Sequence, residues 1–121
     1  MKILLVDDSK AMRLIVRRAL KEAGYGREII AEATNGDEAL NLIQEDCPDI
    51  VLSDWNMPVT TGIELLEKIN SAGHKLRFGF VTSEGTPEMR ARAAAAGAKF
   101  LIAKPFTAED IQTALDKEFG R

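Results

Sequence analysis

Five short apolar runs recur along the chain: Ile3-Leu4-Leu5-Val6, Glu28-Ile29-Ile30-Ala31, Ile50-Val51-Leu52, Phe78-Gly79-Phe80-Val81 and Phe100-Leu101-Ile102-Ala103. None alternates apolar with polar residues, so each predicts a strand covered on both faces. The segments between them have helical spacing. Met12, Ile15, Val16, Ala19, Leu20 and Ala23 line one face of a first helix. Ala39, Leu40 and Ile43 do so for a second, and Ile63, Leu65, Leu66 and Ile69 for a third. Met89, Ala93 and Ala96 mark a weaker fourth, and Ile111, Leu115 and Phe119 a fifth.

The punctuation agrees with this division. Ser9 is placed to cap the first helix and Gly24 to close it. Thr86-Pro87 reads as N-cap and first helical residue of the fourth helix, with Gly97 just past its end. Thr107 and Asp110 have the spacing of a capping box. Five β–α units in strict alternation predict an α/β fold: a five-stranded parallel sheet with helices on both faces, joined by right-handed crossovers.

Composition narrows the function. The 121 residues make one domain, spanning 1–121, and 45% hydrophobic with 29% charged residues suits a globular chain. A net charge of −3 argues against a nucleic-acid binder, which carries a basic surplus. The lone Cys47 forms no internal disulfide, which points to a reducing cytoplasm. The start, MKILLVDD, turns acidic too soon for a signal peptide, and no apolar run is long enough to cross a membrane.

In a parallel sheet all strand C-termini share one edge, where ligands bind. The residues that follow the strands there are Asp7-Asp8-Ser9, Asp54-Trp55-Asn56, Thr82-Ser83-Glu84 and Lys104-Pro105. One aspartate alone would be explained as a helix cap or a turn residue. Three against one lysine leave a charge surplus, since two carboxylates about 4 Å apart repel by roughly 4 kcal/mol at an effective dielectric of 20. Hard oxygen donors with room for water suit Mg²⁺, with Mn²⁺ as a substitute. No glycine-rich loop follows the first strand, and Asp-Asp-Ser would repel a nucleotide pyrophosphate. An acidic pocket with a metal and a lysine can instead accept a phosphoryl group on one carboxylate.

These residues carry a resemblance. Asp7-Asp8, Asp54 in SDWNMP, Thr82 in VTSE and Lys104 in KPF resemble the response-regulator receiver domains of two-component signalling, along essentially the whole chain. The Asp-Trp-Asn-Met-Pro run is most similar to the stand-alone chemotaxis regulators of that family. The resemblance implies sheet order 2-1-3-4-5. It implies Asp54 as phosphoryl acceptor, with Asp8, Asp54 and the Asn56 carbonyl binding Mg²⁺ and Asp7 helping through water. Lys104 would pair with the acceptor and then with the phosphoryl oxygens, Thr82 would hydrogen-bond the phosphoryl group, and the Lys104-Pro105 bond would be cis. Asn56 and Glu84 would tune how long the phosphoryl group survives.

The implied partners are a histidine kinase as phosphodonor and an output protein at the face of the fourth helix, fifth strand and fifth helix. A flagellar-motor switch protein is one candidate, and a phosphatase a further partner. Such a domain catalyses only its own phosphorylation and dephosphorylation. The family's usual Tyr or Phe three residues before the lysine is replaced by Leu101, which removes the aromatic part of the switch.

Three other residues read plainly. His74 lies in a polar loop, Cys47 precedes Pro48 as a filler, and Trp55 would border the site entrance. Two alternatives stand beside the main reading. One is a receiver cut from a larger regulator or serving a partner outside chemotaxis. The other is a Mg²⁺-dependent phosphohydrolase, disfavoured because the aspartates are adjacent and no cap sequence exists.

Overall fold

In the computed structural model, which describes residues 1–121, the sheet is built from β1 (Lys2–Val6), β2 (Ile29–Ala33), β3 (Ile50–Ser53), β4 (Arg77–Thr82) and β5 (Phe100–Ala103). The helices are α1 (Lys10–Leu20), α2 (Gly36–Glu45), α3 (Gly62–Ser71), α4 (Pro87–Ala95) and α5 (Ala108–Phe119). All neighbouring strands are parallel, in the order β2-β1-β3-β4-β5. This is the predicted α/β fold.

Successive strand residues point to opposite faces, and two cores result. Ile3, Leu5, Ile50, Leu52 and Val81 pack with Val16, Leu20, Ile111 and Leu115 of α1 and α5. Leu4, Val6, Val51, Phe78 and Phe80 pack with Ile43, Ile63, Leu66, Ile69 and Ala93 of α2, α3 and α4.

Capping follows the expected chemistry. Ser9 accepts the Met12 N–H, Thr86 accepts the Met89 N–H, and Thr107 forms a reciprocal box with Asp110. Gly24 takes a positive φ of 95° within the π turn Lys21–Tyr25 that continues α1, and Gly97 takes 98° just past the end of α4. Asn35 and a Thr61–Glu64 box cap the N-termini of α2 and α3, two helix starts the apolar pattern did not reveal.

Two expectations need correction. β2 runs from Ile29 to Ala33, later than the apolar run; Ile30 and Ala33 pack into the two cores on its opposite faces, but this edge strand starts beyond their cover. Ile29 is therefore 67% exposed. Ile15, expected on the core face of α1, is 48% exposed. It sits about 100° round the helix from Val16, at the margin of a stripe centred on Val16, Ala19 and Leu20.

The register places the site. Val6 pairs with Ser53, so Asp7 and Asp54 leave the sheet side by side. Thr82 pairs with Ala103, so Lys104 leaves next to it, and the Lys104 N–H donates to the Thr82 carbonyl at 2.8 Å.

Candidate functional site

Each site residue is fixed by backbone bonds at the carboxyl edge of the sheet. The Asp7 N–H donates to the Ala33 carbonyl at 3.1 Å, and the Asp54 N–H to the Val6 carbonyl at 2.9 Å. The Asp7 side chain turns inward and is only 7% exposed. Its Oδ1 accepts the Ser9 N–H at 2.9 Å, and its Oδ2 lies 3.3 Å from Lys104 Nζ. Asp8, one residue on, is exposed to solvent. Asp54 is half-buried; its Oδ1 accepts the Trp55 N–H at 2.7 Å and its Oδ2 lies 3.7 Å from Lys104 Nζ.

One carboxylate oxygen from each of Asp7, Asp8 and Asp54 falls within 4.8 Å of the others. Burial pushes the Asp54 pKa above the ordinary carboxylate value, and the Asp7 charge adds to this. The Lys104 ammonium, the Trp55 N–H and, least of all, Thr82 pull it back. One ammonium does not offset three carboxylates. The donors are hard oxygens with one carboxylate open to water, a set that fits Mg²⁺ or Mn²⁺.

Thr82 makes the second argument. Its side chain is completely buried at the end of β4, and Oγ1 has no hydrogen-bond partner. Its influence on Asp54 is weak because the two make no hydrogen bond of good geometry. A buried hydroxyl left unpaired costs roughly 1–3 kcal/mol, so it marks a place where a further oxygen belongs.

The remaining predicted residues sort by exposure. Asn56 and Glu84 are exposed at the rim, Leu101 is half-buried, and the Lys104-Pro105 bond is cis. Trp55 does not border the entrance. It is 7% exposed and its ring packs at a 35° tilt against Phe80, centroids 4.7 Å apart, because the apolar face beneath β3 and β4 is the better environment for an indole. Cys47 is exposed rather than filling a gap, and burial of its sulfur with nearby Asp49 and Asp46 pushes its thiol pKa up. It is thus a poor nucleophile.

Two residues of the site escaped the sequence reading. Ser53 Oγ donates to the Asp54 carbonyl at 2.8 Å, and Arg13 Nη1 donates to the Asp7 carbonyl at 2.5 Å. Helical side chains lean toward the N-terminus, so an arginine one turn into α1 could have been expected to reach back over Asp7. Gly62 supplies the close approach of α3. A Cβ there would stand 2.2 Å from the Asp54 carbonyl oxygen and 2.8 Å from Phe80.

Comparison with known proteins agrees with this geometry. The sequence pattern described as response regulator receiver domain matches residues 3–116. The chemotaxis protein CheY-3 of Vibrio cholerae is 40% identical, over 100% of this chain and 93% of its own. Chemotaxis protein CheY of Pseudomonas aeruginosa is 37% identical, over 100% of this chain and 98% of its own. Among solved structures, Vibrio cholerae CheY4 superposes with TM-score 0.84 at 33% identity, covering 96% of both chains. A response regulator receiver domain protein from Clostridium thermocellum superposes with TM-score 0.86 at 26% identity, covering 99% of this chain and 94% of its own. The likeness thus extends through sequence, strand order and nearly the full length, and the chain belongs to the response regulator receiver domains of two-component signal transduction.

Proposed function

We propose that this receiver is a phosphorylation-switched binding module over residues 1–121, with Asp54 as its phosphoryl acceptor. The observation that carries the reading is the buried, unpartnered Thr82 hydroxyl at the edge where Asp54, Asp7 and Lys104 meet. A phosphoryl oxygen on Asp54 would give that hydroxyl its missing acceptor.

In the transfer, an Asp54 carboxylate oxygen attacks phosphorus while the bond to the donor breaks, and the donor keeps the electron pair. The Trp55 N–H holds one carboxylate oxygen and so orients the other. Lys104 lies within reach of both Asp7 and Asp54 and screens the phosphoryl oxygens as they arrive. Asp7, Asp8, Asp54 and the Asn56 carbonyl would hold Mg²⁺, with Mn²⁺ as a substitute. When bound, the metal would neutralise charge on the phosphoryl oxygens. Exposed Asn56 and Glu84 stand where a side chain can hold or exclude the water that later hydrolyses the acyl phosphate.

Receiver domains take their phosphoryl groups from histidine kinases, and such a kinase is the proposed donor here. The output surface is the face of α4, β5 and α5. Since the relatives are chemotaxis proteins, a flagellar-motor switch protein is the proposed target, with a phosphatase resetting the signal. The lone Cys47 is in keeping with work in the cytoplasm. Apart from handling its own phosphoryl group, the protein signals rather than catalyses.

The test is labelling from acetyl phosphate with Mg²⁺ present. Wild type takes up one phosphoryl group, and Asp54→Asn, nearly isosteric but unable to form the acyl phosphate, takes up none. Labelling of that variant at another residue would reassign the acceptor.

A further inference from the structure

Arg90, in the first turns of α4, bonds to two separate parts of the backbone. Its Nε donates to the Gly85 carbonyl at 3.1 Å, in the loop that follows Thr82. Its Nη1 donates to the Leu101 carbonyl at 3.1 Å, in β5. The loop itself lies directly on β5: a Cβ at Gly85 would stand 3.0 Å from Arg90 Nη2, 3.4 Å from Ala103 Cβ and 3.5 Å from Leu101 Cδ2. Apart from these bonds, the half-buried Met89 packs this end of α4 against the core. Ala93 is the one buried side chain of the helix.

We propose that Arg90 is a positioning residue that clamps the loop after Thr82 to β5 in the unphosphorylated protein, and that loss of this clamp passes phosphorylation to the α4–β5 surface. The inference rests on Asp54 being the phosphoryl acceptor. When Thr82 turns toward a phosphoryl oxygen, Ser83, Glu84 and Gly85 follow it. The guanidinium is a rigid planar fork and cannot keep both carbonyls once their spacing changes. Hydrogen bonds at 3.1 Å are lost within a few tenths of an ångström, so a small loop shift suffices. Leu101 has neither ring nor hydroxyl to follow the loop, whereas Arg90 touches both moving parts.

The release reaches a surface. Arg90, Ala93, Ala94, Ala98, Phe100 and Leu101 line a groove of about 110 Å³ between α4 and β5. With Arg90 tied down, its charge is committed to backbone carbonyls; released, it is free to meet a partner's carboxylate. Both bonds are solvent-exposed and individually weak, as a reversible clamp requires.

Beryllofluoride with Mg²⁺, as a stand-in for the phosphoryl group, tests the clamp in wild type, Arg90→Ala and Arg90→Lys. A clamp on the resting state opposes the mimic, so Arg90→Ala binds it roughly three- to tenfold more tightly. Arg90→Lys keeps the charge but cannot bridge both carbonyls, and it tightens likewise. The amides of Thr86 and Ile102, which share peptide groups with the two acceptor carbonyls, shift together in wild type on adding the mimic. In Arg90→Ala the Ile102 amide starts near its liganded position and no longer follows Thr86. A general loosening of the fold would weaken binding instead. Equal or weaker binding in Arg90→Ala, with Ile102 still moving alongside Thr86, overturns the clamp while acetyl phosphate labelling of Asp54 stands. A wild type that binds no mimic and takes no label overturns the phosphoacceptor reading, and the clamp with it.

Discussion

Lys104 stands nearer to Asp7 than to Asp54, with Nζ at 3.3 Å from the first carboxylate and 3.7 Å from the second. The resemblance led to the expectation of Asp54 as its resting partner. Asp7 is the more enclosed carboxylate, so the ammonium does more there to offset lost hydration. Lys104→Met removes the only ammonium from the pair and leaves both carboxylates uncompensated. A loss of roughly 1–3 kcal/mol in metal-free urea unfolding is expected, recovered in part by Mg²⁺. Unchanged stability without metal would show that the ion pair contributes nothing to the fold.

Asp54 carries the opposite sign. Its pKa is raised in the folded chain, by burial first and by Asp7 second. The folded state therefore binds this proton more tightly than the unfolded state does. Ionised Asp54 opposes folding at neutral pH, and its protonation favours the fold as pH falls through the raised value. Asp54→Asn should thus unfold at higher urea than wild type in metal-free buffer at neutral pH. The gap should narrow as wild-type Asp54 becomes protonated. A variant less stable than wild type at neutral pH would contradict the pKa direction.

Mg²⁺ should stabilise the native chain, because the gathered oxygens of Asp7, Asp8 and Asp54 exist only when it is folded. At 100 times the dissociation constant the gain is about 2.7 kcal/mol. Asp8→Ala should weaken this response and, by removing a like charge, raise stability without metal. Thermal unfolding with and without the ion gives both numbers.

At the opposite edge of the sheet, Tyr25 is completely buried and donates its hydroxyl to Asp116 Oδ1 at 2.6 Å, with Arg121 4.4 Å above its ring. Burial and the Asp116 contact push its pKa from 10.0 to about 12. A raised pKa means that the contribution to stability is complete below the unfolded value and is lost as pH rises toward 12. That amounts to roughly 3 kcal/mol across the window. This is the chain's single tyrosine, so its absorbance titration is unambiguous, and a midpoint near 10 would rule the linkage out. Tyr25→Phe should cost roughly 1–3 kcal/mol by leaving Asp116 without its donor.

Gly62→Ala tests how α3 holds the loop that carries Asp54, the proposed acceptor. The added Cβ would meet the Asp54 carbonyl at 2.2 Å and Trp55 Cα at 3.0 Å, both backbone atoms that cannot step aside. A loss of roughly 1–3 kcal/mol is expected, with slower labelling of Asp54 as its backbone is displaced. Normal labelling would mean that the loop tolerates the shift.

The strand runs and the helical stripes were legible because strands buried on both faces must be apolar throughout, and an amphipathic helix must repeat every 3.6 residues. Asp7, Asp54, Thr82 and Lys104 were legible for a related reason. A parallel sheet sends every strand's following residue to one edge, so their places in the chain already put them together. Exposure was harder to read. Ile15 and Ile29 are as apolar as their buried neighbours, and only the packing of α1 and the edge position of β2 leave them in water.

Chain order alone determined the alternation of elements, the caps at Ser9, Thr86 and Thr107, and which polar residues reach the site, since each depends on local spacing and hydrogen bonding within a few residues. Tertiary structure decided which of two carboxylates Lys104 favours, which way Trp55 turns and which carbonyls Arg90 joins. Those outcomes depend on distances between residues far apart in the chain, where a few tenths of an ångström and the loss of hydration separate the alternatives.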